Sequence, residues 1–192
     1  RQKTYEAVEI PQITKPVVKI SNDNNKMMLE WDSQIRAIKY IVYISTDGKK
    51  YSKVSEVTDT KYSDKGLVYN KKYYYKVKAC DSEKCSGYSE VVSRTIKPNK
   101  VVLSIKSAGS NNVKLAWEKV KTTGYEVYRS TDNKKWEKIK TISSNDTLEF
   151  NSKSLKANKI YYFKVRAYKI VSGKKVYGSY SKVVSTRTAP RS

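Results

Sequence analysis

The chain has 192 residues and carries 40 Lys and Arg against 18 Asp and Glu, a net charge of +22, with no histidine. Lacking His, it lacks the commonest general base, nucleophile activator and metal ligand, and no apolar run approaches the roughly 20 residues of a membrane helix. Seventeen Tyr and three Trp stand against two Phe, and helix-period runs of Leu, Ala and Glu are missing, so strand formers dominate.

The chain begins at Arg1 rather than Met, which reads as a fragment of a longer protein. The absence of a signal peptide from such a fragment carries no information about secretion. Residues 1–10 form a leader. After it, one unit of about 88 residues is written twice, at residues 11–96 and 97–190, each long enough to bury a modest core.

The first alternating run carries Leu29 and Trp31, and its second copy carries Val113, Leu115 and Trp117. The next run opens Tyr-x-Val, at Tyr40/Val42 and again at Tyr125/Val127. It is followed by Ser45–Tyr51, STDGKKY, and by Ser130–Trp136, STDNKKW. A calcium loop needs more oxygen ligands at fixed offsets, and a phosphate loop needs more glycine and a following helix. Asp-Gly and Asp-Asn instead suit a tight turn with positive φ. Then comes a Leu six residues before a Tyr that starts a long period-two run, at Leu67/Tyr73 and Leu155/Tyr161. Tyr73, Tyr75, Val77 and Ala79, and Tyr161, Phe163, Val165 and Ala167, take the inward positions. Such alternation with one wet face predicts antiparallel sheets packed as a sandwich, with Trp31 and Trp117 as core rings rather than sugar-stacking ones.

Taken together, these marks resemble the fibronectin type III module over about residues 11–189. The resemblance implies an all-β chain of two consecutive seven-stranded, immunoglobulin-like sandwiches, with strands A, B, C, C′, E, F and G in each. It implies that Tyr73 and Tyr161 form tyrosine corners, a buried ring whose hydroxyl bonds to nearby backbone. It places the repeated heptad between strands C and C′, and Cys80 and Cys85 at the F–G hairpin. There the backbones come close enough for a disulfide, a reduced buried pair being the alternative. The C-x4-C spacing is neither a zinc site nor a C-x-x-C redox motif. A bridge would argue for an oxidising, extracellular setting. The Lys-, Asn- and Tyr-rich usage is similar to modules of bacterial secreted and cell-surface proteins, and the Arg-Gly-Asp loop of some animal relatives is absent.

No nucleophile–base pair is visible, and Asp23, Glu30, Asp32, Asp47, Asp59 and Asp64 scatter over turns and strands, so no enzyme, cofactor or metal site is expected. Charge is uneven: residues 98–192 hold 21 basic and 6 acidic groups. In the module topology Lys119, Lys121, Lys174 and Lys175 fall at one pole of the second copy. Lys134, Lys135, Lys153, Lys156 and Lys159 fall at the other, while Tyr162, Lys164 and Arg166 project from strand F. Such a surface suits an anionic glycan, a wall polymer or, less well, nucleic acid; alternatively, the lysines merely shield the sheets. The short join Thr95–Asn99, stiffened by Pro98, implies an extended rod with Lys174 and Lys175 near its seam. The expectation is a monomeric, non-catalytic extracellular spacer and interaction unit with a role in adhesion. A polyanion-binding module and an accessory region of a secreted carbohydrate-active enzyme are the alternatives. A protein or anionic glycan at the cell surface is the expected partner, without membrane insertion.

Overall fold

Period-two patterning folds, in the computed structural model, into fifteen strands and no helix among the described residues, 9–191. Most of the leader predicted over 1–10 lies outside those residues. The chain forms two compact units, one made mainly of residues up to Thr95 and the other mainly of residues from Ile96 on.

Unit 1 holds β1 (Lys19–Asp23), β2 (Lys26–Glu30), β3 (Lys39–Ser45), β4 (Ser52–Val57), β5 (Lys61–Asp64), β6 (Lys72–Cys80) and β7 (Val92–Thr95). Its sheets run β1-β2-β5 and β4-β3-β6-β7. Unit 2 holds β8 (Leu103–Ala108), β9 (Val113–Trp117), β10 (Gly124–Ser130), β11 (Glu137–Ile142), β12 (Glu149–Ser152), β13 (Ile160–Val171), β14 (Lys174–Tyr177) and β15 (Val184–Arg187). Its sheets run β12-β9-β8 and β11-β10-β13, with β14 and β15 both paired to β13. Register repeats as well: Tyr40 faces Ala79 as Tyr125 faces Ala167. Pairing shifts after Val42 in one copy and after Val127 in the other.

Each sandwich is filled by its own side chains. Leu29, Val42, Tyr75 and Val77 are fully buried in unit 1, as are Leu115, Val127, Phe163 and Val165 in unit 2. Trp31 and Trp117 are each 5% exposed, so both are core rings. Trp31 leans on Tyr40 with centroids 5.3 Å apart, and Trp117 on Tyr125 at 5.4 Å. Such tilted pairs add about 0.5–1.5 kcal/mol beyond their buried area. The hydroxyls of the partner tyrosines tie down the preceding loop: Gln34 N–H donates to Tyr40 at 3.0 Å, and Val120 N–H to Tyr125 at 3.1 Å. Tyr161 makes a corner, its ring buried and its hydroxyl accepting Lys156 N–H at 3.0 Å, with Leu155 buried beside it. Tyr73 is buried to the same degree.

Three local features are set by the structure. The stretch from Lys169 to Gly178 is a β-hairpin rather than a loop, because Ser172 and Gly173 take φ of 48° and 75° and turn β13 directly into β14. Cys85 does not open a strand: it makes a single bridge to Cys80, and regular pairing resumes only at β7. Asp64 is a strand residue that accepts the Tyr75 hydroxyl at 2.8 Å, whereas Asp59 stays in its turn.

A serine bracket explains both interruptions of the last strand. Val77 N–H donates to Ser89 Oγ while Ser89 N–H donates back to Val77 O, at 2.9 and 2.8 Å. Val165 and Ser181 repeat this at 2.9 and 2.7 Å. The hydroxyl replaces the carbonyl that a regular ladder would supply, so the buried amide stays satisfied while the strand breaks.

Candidate functional site

The repeated heptad is a side-chain-capped turn. Asp47 Oδ1 accepts the N–H groups of Lys49 and Lys50 at 2.8 and 2.9 Å, and Asp132 Oδ1 those of Lys134 and Lys135, both at 2.8 Å. Ser45 and Ser130 hydroxyls meet the same carboxylates. Gly48 and Asn133 occupy the left-handed region at φ 72° and 56°. Backbone N–H donation holds the Asp132 carboxyl down at about 2 and lowers that of Asp47. With those oxygens turned to their own backbone, the heptad is not a cation loop. Among the described residues no cluster of three or more His, Cys, Asp or Glu forms a metal site.

The last residue of the heptad walls a lysine. Lys164 Nζ sits 4.3 Å from the Trp136 ring centre and 4.0 Å from that of Tyr180. In unit 1, Lys76 sits 4.2 Å from Tyr51 and 3.7 Å from Tyr88. Edge-to-face pairs Tyr43–Tyr88 and Tyr128–Tyr180, both at 5.2 Å, back the two clamps. Each face of the β3–β6 and β10–β13 ribbons that alternation assigned to solvent is thus roofed by rings and cations. A cation over a ring contributes about 0.5–1 kcal/mol at such exposed sites.

The copies differ at the rung of Ile41 and Glu126. Ile41 opposes Glu56 across β3 and β4, whereas Glu126 opposes Thr141 across β10 and β11. Lys39 and Lys53 hold the Glu56 carboxyl at about 2. The other carboxylate, Glu126, is fully shielded on what should be a wet face. Arg166 donates twice to its Oε2, at 2.9 and 3.1 Å, Lys175 reaches Oε1 at 3.0 Å, and Tyr128 donates to Oε2 at 2.9 Å. Lys138 stands 3.4 Å away. Burial pushes the Glu126 carboxyl up, but bonds from Arg166, Lys175 and Tyr128 outweigh it and hold it at about 2. Burial and its bond to Glu126 drive the Tyr128 phenol up. Arg166 also stacks on Tyr177 at 3.6 Å.

The structure therefore sorts the basic residues singled out above. Lys164, Arg166 and Lys175 converge on one face, with Tyr162 on the same strand. Lys175 is not at a loop tip: β14 lays it over the sheet, and Lys174 opens that strand opposite Val171. Lys119 pairs with Asp146, and Lys121 lies between β9 and β10. Lys134 and Lys135 lie at the far end of β10, in the Asp132 turn. Sequence reading missed Glu126, since a lone Glu at an outward position looks solvated. A signal existed in Arg166 and Lys175, which were already suspected but had no named counter-charge.

Cys80 and Cys85 are bridged. Inside the small ring, Asp81 Oδ1 accepts Glu83 and Lys84 N–H at 2.8 Å each, while Arg36 lies 3.3 Å from its other oxygen. No helix among the described residues is long and apolar enough to cross a membrane.

Residues 97–186 match the family of the fibronectin type III domain. Similar solved structures include the FN1–FN3 domains of chicken CNTN1, at 21% identity over 92% of this chain and 69% of that one, with a TM-score of 0.43. The two-domain fibronectin type III segment of chicken tenascin is similar at 13% identity, 89% and 97% coverage and a TM-score of 0.43. FN3tt mut is similar at 20% identity over 44% of this chain and 98% of its own, with a TM-score of 0.41. No curated protein matches the chain. Domains of this kind are generally non-catalytic, typically extracellular modules of larger proteins that mediate spacing or interaction. Unit 1 repeats the strand order, register, ring pairs and serine bracket of unit 2, so the chain is two consecutive β-sandwiches of the fibronectin type III fold, the second of which matches the family.

Proposed function

We propose that the chain serves as a spacer and interaction pair, with a role in adhesion, in a bacterial secreted or surface-attached protein. The observation that carries this reading is that both sandwiches are packed with their own rings while their conspicuous side chains lie outside, on sheet faces. The Cys80–Cys85 bridge is compatible with an oxidising location. An antibody against this chain, applied to intact cells of the source organism, tests it: surface labelling that protease shaving removes is expected. Labelling only after lysis would remove the extracellular claim.

A second reading is favoured by the charge surplus of residues 98–192. Unit 2 is then a polyanion-binding module, with Lys119, Lys121, Lys134, Lys135, Tyr162, Lys164, Arg166, Lys174 and Lys175 as its candidate surface. Electrostatic attachment weakens steeply with added salt. Retention of the chain on a sulfated-glycan or teichoic-acid column beyond physiological salt is expected, and elution below it would leave those side chains as shielding only.

A further inference from the structure

We infer that unit 2 carries a binding groove for a sulfate or phosphate ester of an anionic glycan, on the open side of the sandwich between the edges of β11 and β12. The inference rests on the polyanion reading of unit 2 and gives it an address away from the roofed sheet face. Two adjoining depressions of about 240 and 330 Å³ lie here, and Arg129 and Glu137 line both. Lys135 stands in one, Lys138 and Lys153 in the other. Arg129, Lys135 and Lys153 therefore surround a space with a single carboxylate, Glu137, while Lys138 is shared with Glu126.

Arg129 is three-quarters shielded and held in place. Its guanidinium donates to Glu137 Oε2 at 3.2 Å and to Ser152 Oγ at 3.5 Å, which fixes the fork and leaves other N–H donors for a guest. A planar fork of that kind suits the paired oxygens of a sulfate or phosphate group. Buried Ser130 lines one depression and buried Ser152, bonded to Arg129, the other. The roofed face is a weaker candidate, because Arg166, Lys175 and Lys138 there already share the Glu126 carboxylate. A glycan is preferred over a nucleic acid because stacking on bases needs open ring faces, and the rings at the groove are Tyr161, 5% exposed, and Phe150, partly buried and packed against the core.

The first copy supplies an internal contrast. By register, Ile44 stands where unit 2 has Arg129, and Asp64 stands where it has Ser152. One copy thus has an apolar side chain and an acid where the other has a guanidinium and a hydroxyl. The same framework tolerates both pairs, so the cationic set is not a requirement of folding.

Titration of the full chain with a short sulfated oligosaccharide at physiological salt tests the groove. Arg129→Ile and Ser152→Asp import the residues of the first copy and should each weaken binding by about tenfold or more. Glu137→Gln should strengthen it, while Lys182→Gln, away from the groove, should leave it unchanged. Tryptophan fluorescence and thermal melts confirm that each variant is folded. Binding by the parent chain that is indifferent to all three groove variants overturns the groove but spares the polyanion reading. No binding by the parent chain overturns both. Equal affinity for a single DNA strand of matched charge, with the same dependence on Arg129, overturns the assignment to a glycan.

Discussion

Arg166 clasps Glu126 across two neighbouring strands, its Nε and one terminal nitrogen both donating to the same carboxylate oxygen. The pair lies on the outward face of the sheet, yet Glu126 has no solvent exposure. Lys175, from the hairpin that the first domain lacks, closes over the other oxygen. A shielded carboxylate with several donors is a strong anchor only while the donors remain.

Acid should weaken the second domain through this group, as it should through Asp132 and Glu149, whose carboxyls are also held at about 2. The Glu126 carboxyl is held at about 2, against an ordinary value of 4.5. A depressed value means the stabilisation is complete above about pH 5 and disappears as pH falls toward about 2. The shift is worth on the order of 3 kcal/mol. Urea titrations followed by tryptophan fluorescence should show that loss, and Glu126→Gln should flatten this part of the pH profile.

Removing a bracket hydroxyl should be costly, since both serines are buried. Ser181→Ala leaves the Val165 amide without an acceptor inside the sandwich, and a buried unsatisfied donor costs about 1–3 kcal/mol. Ser89→Ala should do the same to Val77 in the first domain. Thermal unfolding of the two variants, each compared with the parent chain, provides the measurement.

The turn written twice predicts an asymmetry between its copies. Gly48→Ala puts a side chain into the left-handed region and 3.2 Å from the Tyr74 ring, which should cost about 1–2 kcal/mol. Asn133→Gly, at the equivalent position, should be nearly neutral, since Gly adopts that conformation without a steric penalty. Denaturant midpoints of the two variants would show whether this difference holds.

The bridge should be detectable and modest. Alkylation of the native chain should add no adduct at Cys80 or Cys85, and reduction should expose both. Closing so short a loop should contribute about 2 kcal/mol or less. Reduction should therefore lower the melting temperature of the first domain without unfolding it, and leave the second unchanged.

The corner tyrosine separates ring from hydroxyl. Tyr161→Phe keeps the packed ring but strips the acceptor for Lys156 N–H, so a loss of about 1 kcal/mol is expected. Trp117→Ala removes a core ring outright and should cost about 3–5 kcal/mol. A calorimetric comparison in which both variants melt alike would contradict this division.

Period-two alternation in Leu29–Trp31, Tyr73–Ala79 and their second copies was enough to specify two sandwiches. Burial acts on each residue of a strand according to its face, so the pattern is written locally. Asp47, Gly48, Asp132 and Asn133 specified their turn for the same reason: a carboxylate bonding to backbone two or three residues on is local chemistry. The role of Glu126 was not legible, because its partners Arg166 and Lys175 are 40 and 49 residues away and meet it only once β13 and β14 are aligned. The serine brackets and the ring-clamped lysines were hidden likewise, and so was the groove of Arg129. Each depends on strand register, which sets which outward side chains become neighbours, and register is decided by the packing of the whole sandwich rather than by any one strand.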